Sequence, residues 1–514
     1  NGYFLILFFS LFITFEINNF FYLSTEAPDF HHLKNYIKYN FGEINQVDRD
    51  MGLAYFNIVS LAIKMQISNV TFLNENHIIH NAILVTNYLL YIIGLIGLYC
   101  LLVLKKFNKS DILFSFIVLS FFPQTINMLI TMKPEILAFS LLTWILYFLE
   151  SYLIDKKILY LYMIIIPLAL LMTTKGSIFF FCSFIFLYII LKNYKVIFAK
   201  KIIVPLLIFL FLFTGLMFEN IQTNGFSIFE HVSSSNDGSY ENVADLRILY
   251  NINFNYLVTQ PFSNFHADSL LGILLLDTFG DYFNFWAYND ESGFVVNKIP
   301  IKPFWFITHY SQMFSIVLTL VFYYLIFYNA KKEKENRIYF LSPVFALFLL
   351  ITNSFGIPIK NYNPLTSDTF KTHYYSFLLA ITLVFIILNI VKKNKIFKPI
   401  IFILIFFSTT YLYGFPKNLN TSFNDYLTNR NSVSMFCVIN SKIITDFDQN
   451  NCNNITYQTC TISRIINHTE NIEINEGLVD YKYFYPIVLS NDEGAAVGAR
   501  SPEECRDYIS DGFM

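Results

Sequence analysis

Charge is what this 514-residue sequence has least of: 14% of its residues are Asp, Glu, Lys or Arg, against about a quarter in soluble globular domains. A water-soluble globular fold is therefore the wrong first reading. Neither sign of charge dominates, the net being −2, so the basic footprint of a nucleic-acid-binding protein is missing. A glycine-rich nucleotide-binding loop is also missing. The cysteines are accompanied by neither a Cys-x-x-Cys nor a His-x-x-x-His pair, which removes the strong zinc patterns. The apolar runs lack the strict alternation of a membrane β-barrel.

What is present is apolar surface in long runs. Hydrophobic residues make up 55% of the chain, aromatic residues 19%, and the mean hydropathy is +0.48. A stretch such as "IIVPLLIFLFLFTGLMF" (202–218) approaches the roughly 20 apolar residues that cross a bilayer as helix. In lipid the backbone must satisfy its own hydrogen bonds, which leaves helices for runs of this kind. The expectation is an all-α polytopic membrane protein with about eleven spans, near 2–23, 82–104, 112–130, 135–154, 158–174, 176–191, 202–218, 304–328, 338–354, 374–391 and 399–414. The chain opens directly in the first of these, which reads as a span and not as a cleaved signal peptide.

Charge placement orients the spans. The alternate short connections 105–111, 155–157, 192–201, 330–337 and 392–398 hold 17 of the 35 lysines and arginines, the pattern of cytoplasmic loops. The first outer loop (24–81), the long outer loop (219–303), the corners near 131–134 and 175, segment 355–373 and the region 416–514 then share the opposite face. Most acids outside the basic loops and helices fall there. Residues 1–415 read as the transmembrane domain and 416–514 as a small soluble extracytoplasmic region. Cys437, Cys452, Cys460 and Cys505 all lie in that last region, which points to an oxidising compartment and at least one disulfide among three pairings.

Chemistry-bearing residues concentrate on the same face. In the first outer loop, Phe30, Leu33, Tyr36 and Ile37, and then Leu53, Phe56, Ile58 and Leu61, suggest two amphipathic helices on the membrane surface. Asp29 stands at the start of the first, and Asp48 and Asp50 just before the second. An acid at a helix start also stabilises the helix by itself. In "TMKPEILAF", Lys133 and Glu135 flank Pro134 at the mouth of a span, and in "LLMTTKGSIFFF", Lys175 interrupts two apolar stretches. Ionisable residues at membrane depth are candidates for function, and two cations facing an acid would suit a phosphate-bearing substrate. Asp277 and Asp281, in "LLLDTFGDYFNFWAYND", combine acids with aromatic faces in the manner of a sugar-binding surface. Lys371 and His373 stand at the outer entrance of the tenth span.

The order of these motifs resembles the large membrane glycosyltransferases of the GT-C superfamily, the group that includes protein O-mannosyltransferases and lipid A aminoarabinose transferases. The resemblance rests on an acid soon after the first span ("APDF"), two surface helices in the first outer loop, "KPE" opening a later span, "TTKGS" after the fifth, and a soluble outer region. It implies a GT-C-like fold with Asp29 as general base, Glu135 as a second catalytic acid and Lys175, Lys133, Lys371 and His373 around the donor phosphate. Asp48, Asp50, Asp277 and Asp281 are then acceptor or sugar contacts. Where many relatives carry a second acid directly after the first-loop Asp, Phe30 stands here. The implied partners are a polyprenyl-phosphate-sugar donor, a lipid, glycan or protein acceptor, and membrane lipids. No cofactor is required, although a divalent cation is compatible. The expected location is a bacterial inner membrane, with the site facing the periplasm. A transporter or flippase of lipid-linked sugars is the alternative from another class, and would place charges near the bilayer midplane in repeated halves. A glycan ligase or polymerase would keep the fold and change the acceptor.

Overall fold

The computed structural model describes residues 2–21, 30–42, 52–66, 76–192, 203–218, 269–280, 304–354 and 372–409, isolated positions at 249, 252, 254 and 257, and four two-residue strands. The chain divides into two compact units, one of residues 1–15, 33–245 and 320–406, the other of residues 16–32, 246–319 and 407–514.

The described helices are α1 (Gly2–Phe21), α2 (Phe30–Asn40), α3 (Ala54–Gln66), α4 (Asn76–Leu104), α5 (Lys109–Ser120), α6 (Pro123–Ile130), α7 (Glu135–Asp155), α8 (Ile158–Met172), α9 (Gly176–Lys192), α10 (Ile203–Leu216), α11 (Leu270–Asp277), α12 (Phe304–Lys332), α13 (Arg337–Ser354), α14 (Ser376–Lys393) and α15 (Phe397–Thr409). The all-α polytopic reading holds. Four described helices are long and apolar enough to cross a bilayer, namely Ala82–Leu104, Glu135–Asp155, Met313–Lys332 and Thr372–Lys393, and α5 with α6 would make a fifth. The other apolar helices give shorter stretches among the described residues, so the count of eleven is not confirmed there.

One expected span is broken. Residues 112–130 form α5 and α6, bent by 66°. Pro123 occupies the first turn of α6 after an extended Phe122. Proline has no N–H to continue the α5 ladder and pushes the residue before it out of helical conformation. Hydropathy runs unbroken across this corner and does not report it.

In the first unit α4 packs on α7, α7 on α8, and α8 on α10, while α14 is packed by α5, α6, α7 and α13. Close approach of α4 and α7 depends on two glycines. A Cβ on Gly94 would stand 2.6 Å from the Phe139 ring and 3.1 Å from the Ser140 Cα, and one on Gly97 would stand 2.9 Å from the Thr143 hydroxyl. Trp144 Nε1 then reaches the Ile93 carbonyl at 3.0 Å. By contrast α10 buries only Pro205 and leaves Phe211 76% exposed, as expected of a helix that faces lipid.

Among the described helices α14 has the longest buried run, from Ser376 to Asn389. Its polar residues serve the neighbouring backbone. Pro343 lies inside α13 and cannot donate to the carbonyl four residues earlier, that of Tyr339; the Thr382 hydroxyl supplies the missing donor at 2.6 Å. At the basic-loop end, Lys105 bonds Glu150 at 2.8 Å and the Tyr339 hydroxyl donates to the same carboxylate oxygen at 2.9 Å. Lys398 pairs with Asp111 at 2.8 Å.

Helices form at both places where the first loop was expected to carry them, as α2 and α3. Tyr36 of α2 stacks on Phe56 of α3 with ring centroids 4.3 Å apart, and Asn40 Nδ2 donates to the Ser60 hydroxyl. The apolar residues of α3 divide between two faces: Phe56, Val59 and Ile63 are buried, whereas Ile58 and Leu61 are exposed. A helix lying between a protein bundle and a bilayer needs apolar groups on both sides.

In the second unit, α11 is capped by the Ser269 hydroxyl, which accepts from Gly272 N at 2.9 Å. Short antiparallel ladders join Tyr288–Asn289 to Phe294–Val295 and Leu489–Ser490 to Ala496–Val497. The remainder of 416–514, with its four cysteines, lies outside the described residues. Cys100 and Cys182 carry free thiols in helices.

Replacing Gly94 by Ile should therefore lower the thermal midpoint in detergent more than Thr382→Val does. The glycine change forces α4 away from α7, whereas the threonine change removes one hydrogen bond, about 0.5–2 kcal/mol within a membrane bundle. Equal midpoints for the two variants would contradict the close-packing role of Gly94.

Candidate active site

Two corners of the first unit carry the charged motifs read from the sequence. At the first, α6 ends at Ile130, and Thr131 Oγ1 donates back to the Asn127 carbonyl at 2.7 Å. The chain then passes through Thr131, Met132, Lys133 and Pro134 before α7 begins at Glu135. The amide nitrogen of Asn87, on α4, donates to the carbonyls of Met128, Leu129 and Thr131 at 3.2, 3.0 and 2.9 Å. These are carbonyls that a helix end leaves without intrahelical partners. Asn87 Oδ1 in turn accepts from the Tyr55 hydroxyl of α3 at 2.8 Å.

The second corner lies between α8 and α9. Thr173 and Thr174 return their hydroxyls to the helix at Ala169 and Leu170, and Lys175 immediately precedes α9. Gly52, at the approach to α3, donates its N–H to the Thr174 carbonyl at 2.9 Å. A Cβ at Gly52 would fall 1.8 Å from the Thr173 carbonyl oxygen. Only glycine permits that approach.

The corners meet through their side chains. Lys175 Nζ bonds Glu135 Oε1 at 2.9 Å, with the two side chains 11% and 2% exposed. Lys133 Nζ lies 3.1 Å from His373 Nε2, both residues being buried. An ammonium is a donor only, so a charged Lys133 calls for Nε2 as the acceptor. His373 belongs to the 3₁₀ turn Thr372–Tyr375 that leads into α14. The Lys175 ammonium sits 4.4 Å from the centre of the Tyr374 ring, and that ring is 4.4 Å from His373. Glu135 Oε2 is buried and accepts no hydrogen bond from the described residues.

Of the residues singled out in the sequence, the structure thus gathers Lys133, Glu135, Lys175 and His373. Three helix N-termini, those of α7, α9 and α14, face the same cluster, and each brings the positive end of its dipole. Such an environment favours an anion. Asp277 is described, buried at the last residue of α11 in the second unit. A carboxylate at a helix C-terminus gains nothing from the dipole, so helix stabilisation does not account for it. Asp29, Asp48, Asp50, Asp281 and Lys371 lie outside the described residues.

Tyr55 and Asn87 were not anticipated. The signal for Asn87 was available, because it is the one amide inside the apolar run "AILVTNYLLYII", and polar residues at membrane depth are seldom idle. Nothing in the amphipathic pattern around Tyr55 separates it from a core aromatic. Burial pushes the pKa of its phenol up, against the smaller opposing effect of the Asn87 hydrogen bond, so the hydroxyl remains a donor.

Residues 66–218 match the family model described as dolichyl-phosphate-mannose-protein mannosyltransferase. The match covers less than a third of the chain, and over that segment the chain is similar to a GT-C-type membrane glycosyltransferase family. The matched segment runs from the end of α3 through α10 and contains Asn87, Lys133, Glu135 and Lys175; Asp29 and His373 fall outside it. No curated protein and no solved structure matches the chain.

Removing Lys175 alone should be costly. Lys175→Met leaves the Glu135 carboxylate buried without its cation, and breaking such a pair destabilises by about 3–5 kcal/mol. The double variant Lys175→Met/Glu135→Gln should recover most of that loss in a thermal or denaturant melt. A double variant as unstable as the single would mean that the pair is not what holds this corner.

Proposed function

We propose that this chain transfers a sugar from a polyprenyl-phosphate-linked donor to an acceptor at the extracytoplasmic face of the membrane. One observation carries the reading: four ionisable residues that the sequence separates by up to 240 positions assemble in one buried cluster at three helix N-termini, largely within the segment that matches a mannosyltransferase family. Burying charge in an apolar bundle is costly unless partners and purpose are provided. A phosphate is the ligand that two lysines and three helix dipoles are suited to hold.

In this reading the donor phosphate rests near Lys133, His373 and Lys175, with Lys371 as a further candidate. Asp29 accepts the proton of an acceptor hydroxyl as that oxygen forms its bond to the anomeric carbon. The bond from the anomeric carbon to the phosphate oxygen breaks, and the electron pair leaves with the lipid phosphate. Cations placed where this charge develops are worth about 3 kcal/mol each in the transition state, and the general base about 10²–10⁴ in rate. Glu135 is committed through Oε1 to Lys175. Its role is therefore to hold that cation and set the local charge, while proton abstraction falls to Asp29. Asp48, Asp50, Asp277 and Asp281 remain candidates for contacts with the sugar or acceptor. The chain works as an integral membrane protein, with a bacterial inner membrane and a periplasmic site as the proposed setting.

The test is transfer of radiolabelled mannose from polyprenyl-phosphate mannose in membranes holding equal amounts of wild type, Asp29→Asn or Lys133→Gln. Transfer should fall at least 100-fold in the first variant, in keeping with loss of a general base, and also fall in the second. Wild-type transfer by Asp29→Asn would remove the base assignment. Undiminished transfer in both would remove the site itself.

A further inference from the structure

We propose that Tyr55 and Asn87 are positioning residues that fix Lys133 toward a phosphate headgroup, so that surface helix α3 sets the geometry of the donor site from outside it. The inference rests on the glycosyltransferase reading above and assigns it a part that neither the motifs nor the family match contains, since Tyr55 lies before the matched segment.

The argument starts from the backbone at the end of α6. Because Pro123 and the 66° bend turn α6 into the bundle, its last carbonyls end among buried side chains, with every residue of the helix enclosed. A carbonyl left without a donor there costs about 1–3 kcal/mol. A glycine cap, the usual answer, is absent, and the amide of Asn87 serves three carbonyls instead. The two amide hydrogens can do this only when Oδ1 points the other way, and the Tyr55 hydroxyl fixes that orientation at 2.8 Å.

The Thr131 carbonyl held by Asn87 also accepts from Lys133 N at 2.9 Å. The lysine backbone is thus tied to the same oxygen that the amide grips, with Pro134 immediately behind it to restrict its conformation. From this anchored start, the Lys133 side chain reaches His373 Nε2. Neither Tyr55 nor Asn87 has to touch the ligand. Loss of the Tyr55 hydroxyl frees the amide to rotate, and rotation would set its oxygen against the α6 carbonyls and release the corner that carries Lys133.

Binding can be separated from turnover with tritiated farnesyl phosphate as probe, measured on the purified full chain in detergent with farnesol as the uncharged control. Tyr55→Phe should raise the Kd for farnesyl phosphate about 3–10-fold, the range expected for one buried hydrogen bond, and leave weak farnesol binding and the melting midpoint close to wild type. Asn87→Ala should weaken phosphate binding at least as much. In a Lys133→Gln background, Tyr55→Phe should change the Kd less than twofold, because residues that act through one another are not additive. Independent, multiplicative losses, or a lowered melting midpoint with unchanged Kd, would overturn the positioning role. If Lys133→Gln weakens binding and Tyr55→Phe does not, the inference fails and the phosphate site stands. Wild-type binding by Lys133→Gln would refute the phosphate site and the positioning role with it.

Discussion

A lysine ammonium taken out of water into a helix bundle costs several kcal/mol unless charge and hydrogen bonds meet it at close range, and the first unit is arranged around that requirement. Lys175 is met by Glu135 and the face of Tyr374, and Lys133 by the His373 imidazole. These partners come from the starts of α7 and α14, so satisfying the lysines fixes how three helices begin relative to one another. The dipoles of those helices then add to the lysines and leave Glu135 as the balancing charge. This is the charge arrangement on which the proposed phosphate site rests.

Holding the partners at bonding distance depends on packing well away from them. Gly94 and Gly97 let α7 lie close against α4, which brings Asn87 to the end of α6. Gly52 lets the approach to α3 press on the Thr173–Thr174 turn, which brings Tyr55 to Asn87. The start of α3 and the approach to it therefore serve both cation-bearing corners, one through the Gly52 N–H and the other through the Tyr55 phenol by way of Asn87. Thr382 plays a similar part at the other end of the bundle, where its hydroxyl repairs the ladder that Pro343 interrupts.

Much of this was legible before any coordinates. The helical character, the helices α2 and α3, and Lys133, Glu135, Lys175 and His373 as residues worth singling out follow from hydropathy, helical spacing and the rarity of charge. Local pattern could not show which of the four pair. Spacing alone does not separate Glu135, two residues from Lys133, from His373 as its partner; across the turn that runs from an extended Thr131 to a helical Pro134, the two side chains reach different partners. The bend between α5 and α6 was hidden because lipid-like composition continues across it, and hydropathy measures solvation, not direction. Tyr55 and Asn87 escaped for a related reason: each looks like an ordinary member of its helix until the carbonyls it serves, directly or through the other, are in view.

The two ends of α7 differ in how their acids are held. Glu135 opens the helix and Glu150 lies 15 residues on, roughly 22 Å away at the rise of an α-helix. Both acids pair with a lysine, so pairing alone does not distinguish them. Glu150 has its Oε1 engaged by both Lys105 and the Tyr339 hydroxyl, which makes a closed latch among α4, α7 and α13. Glu135 sits where two non-helical corners and a 3₁₀ turn converge, with one carboxylate oxygen taking no bond from the described residues. A carrier would need a site that both ends can reach. Among the described residues, the two acids of α7 belong to separate clusters, one closed upon itself and one built from irregular backbone around lysines. The second has the features of a place where a charged group is received.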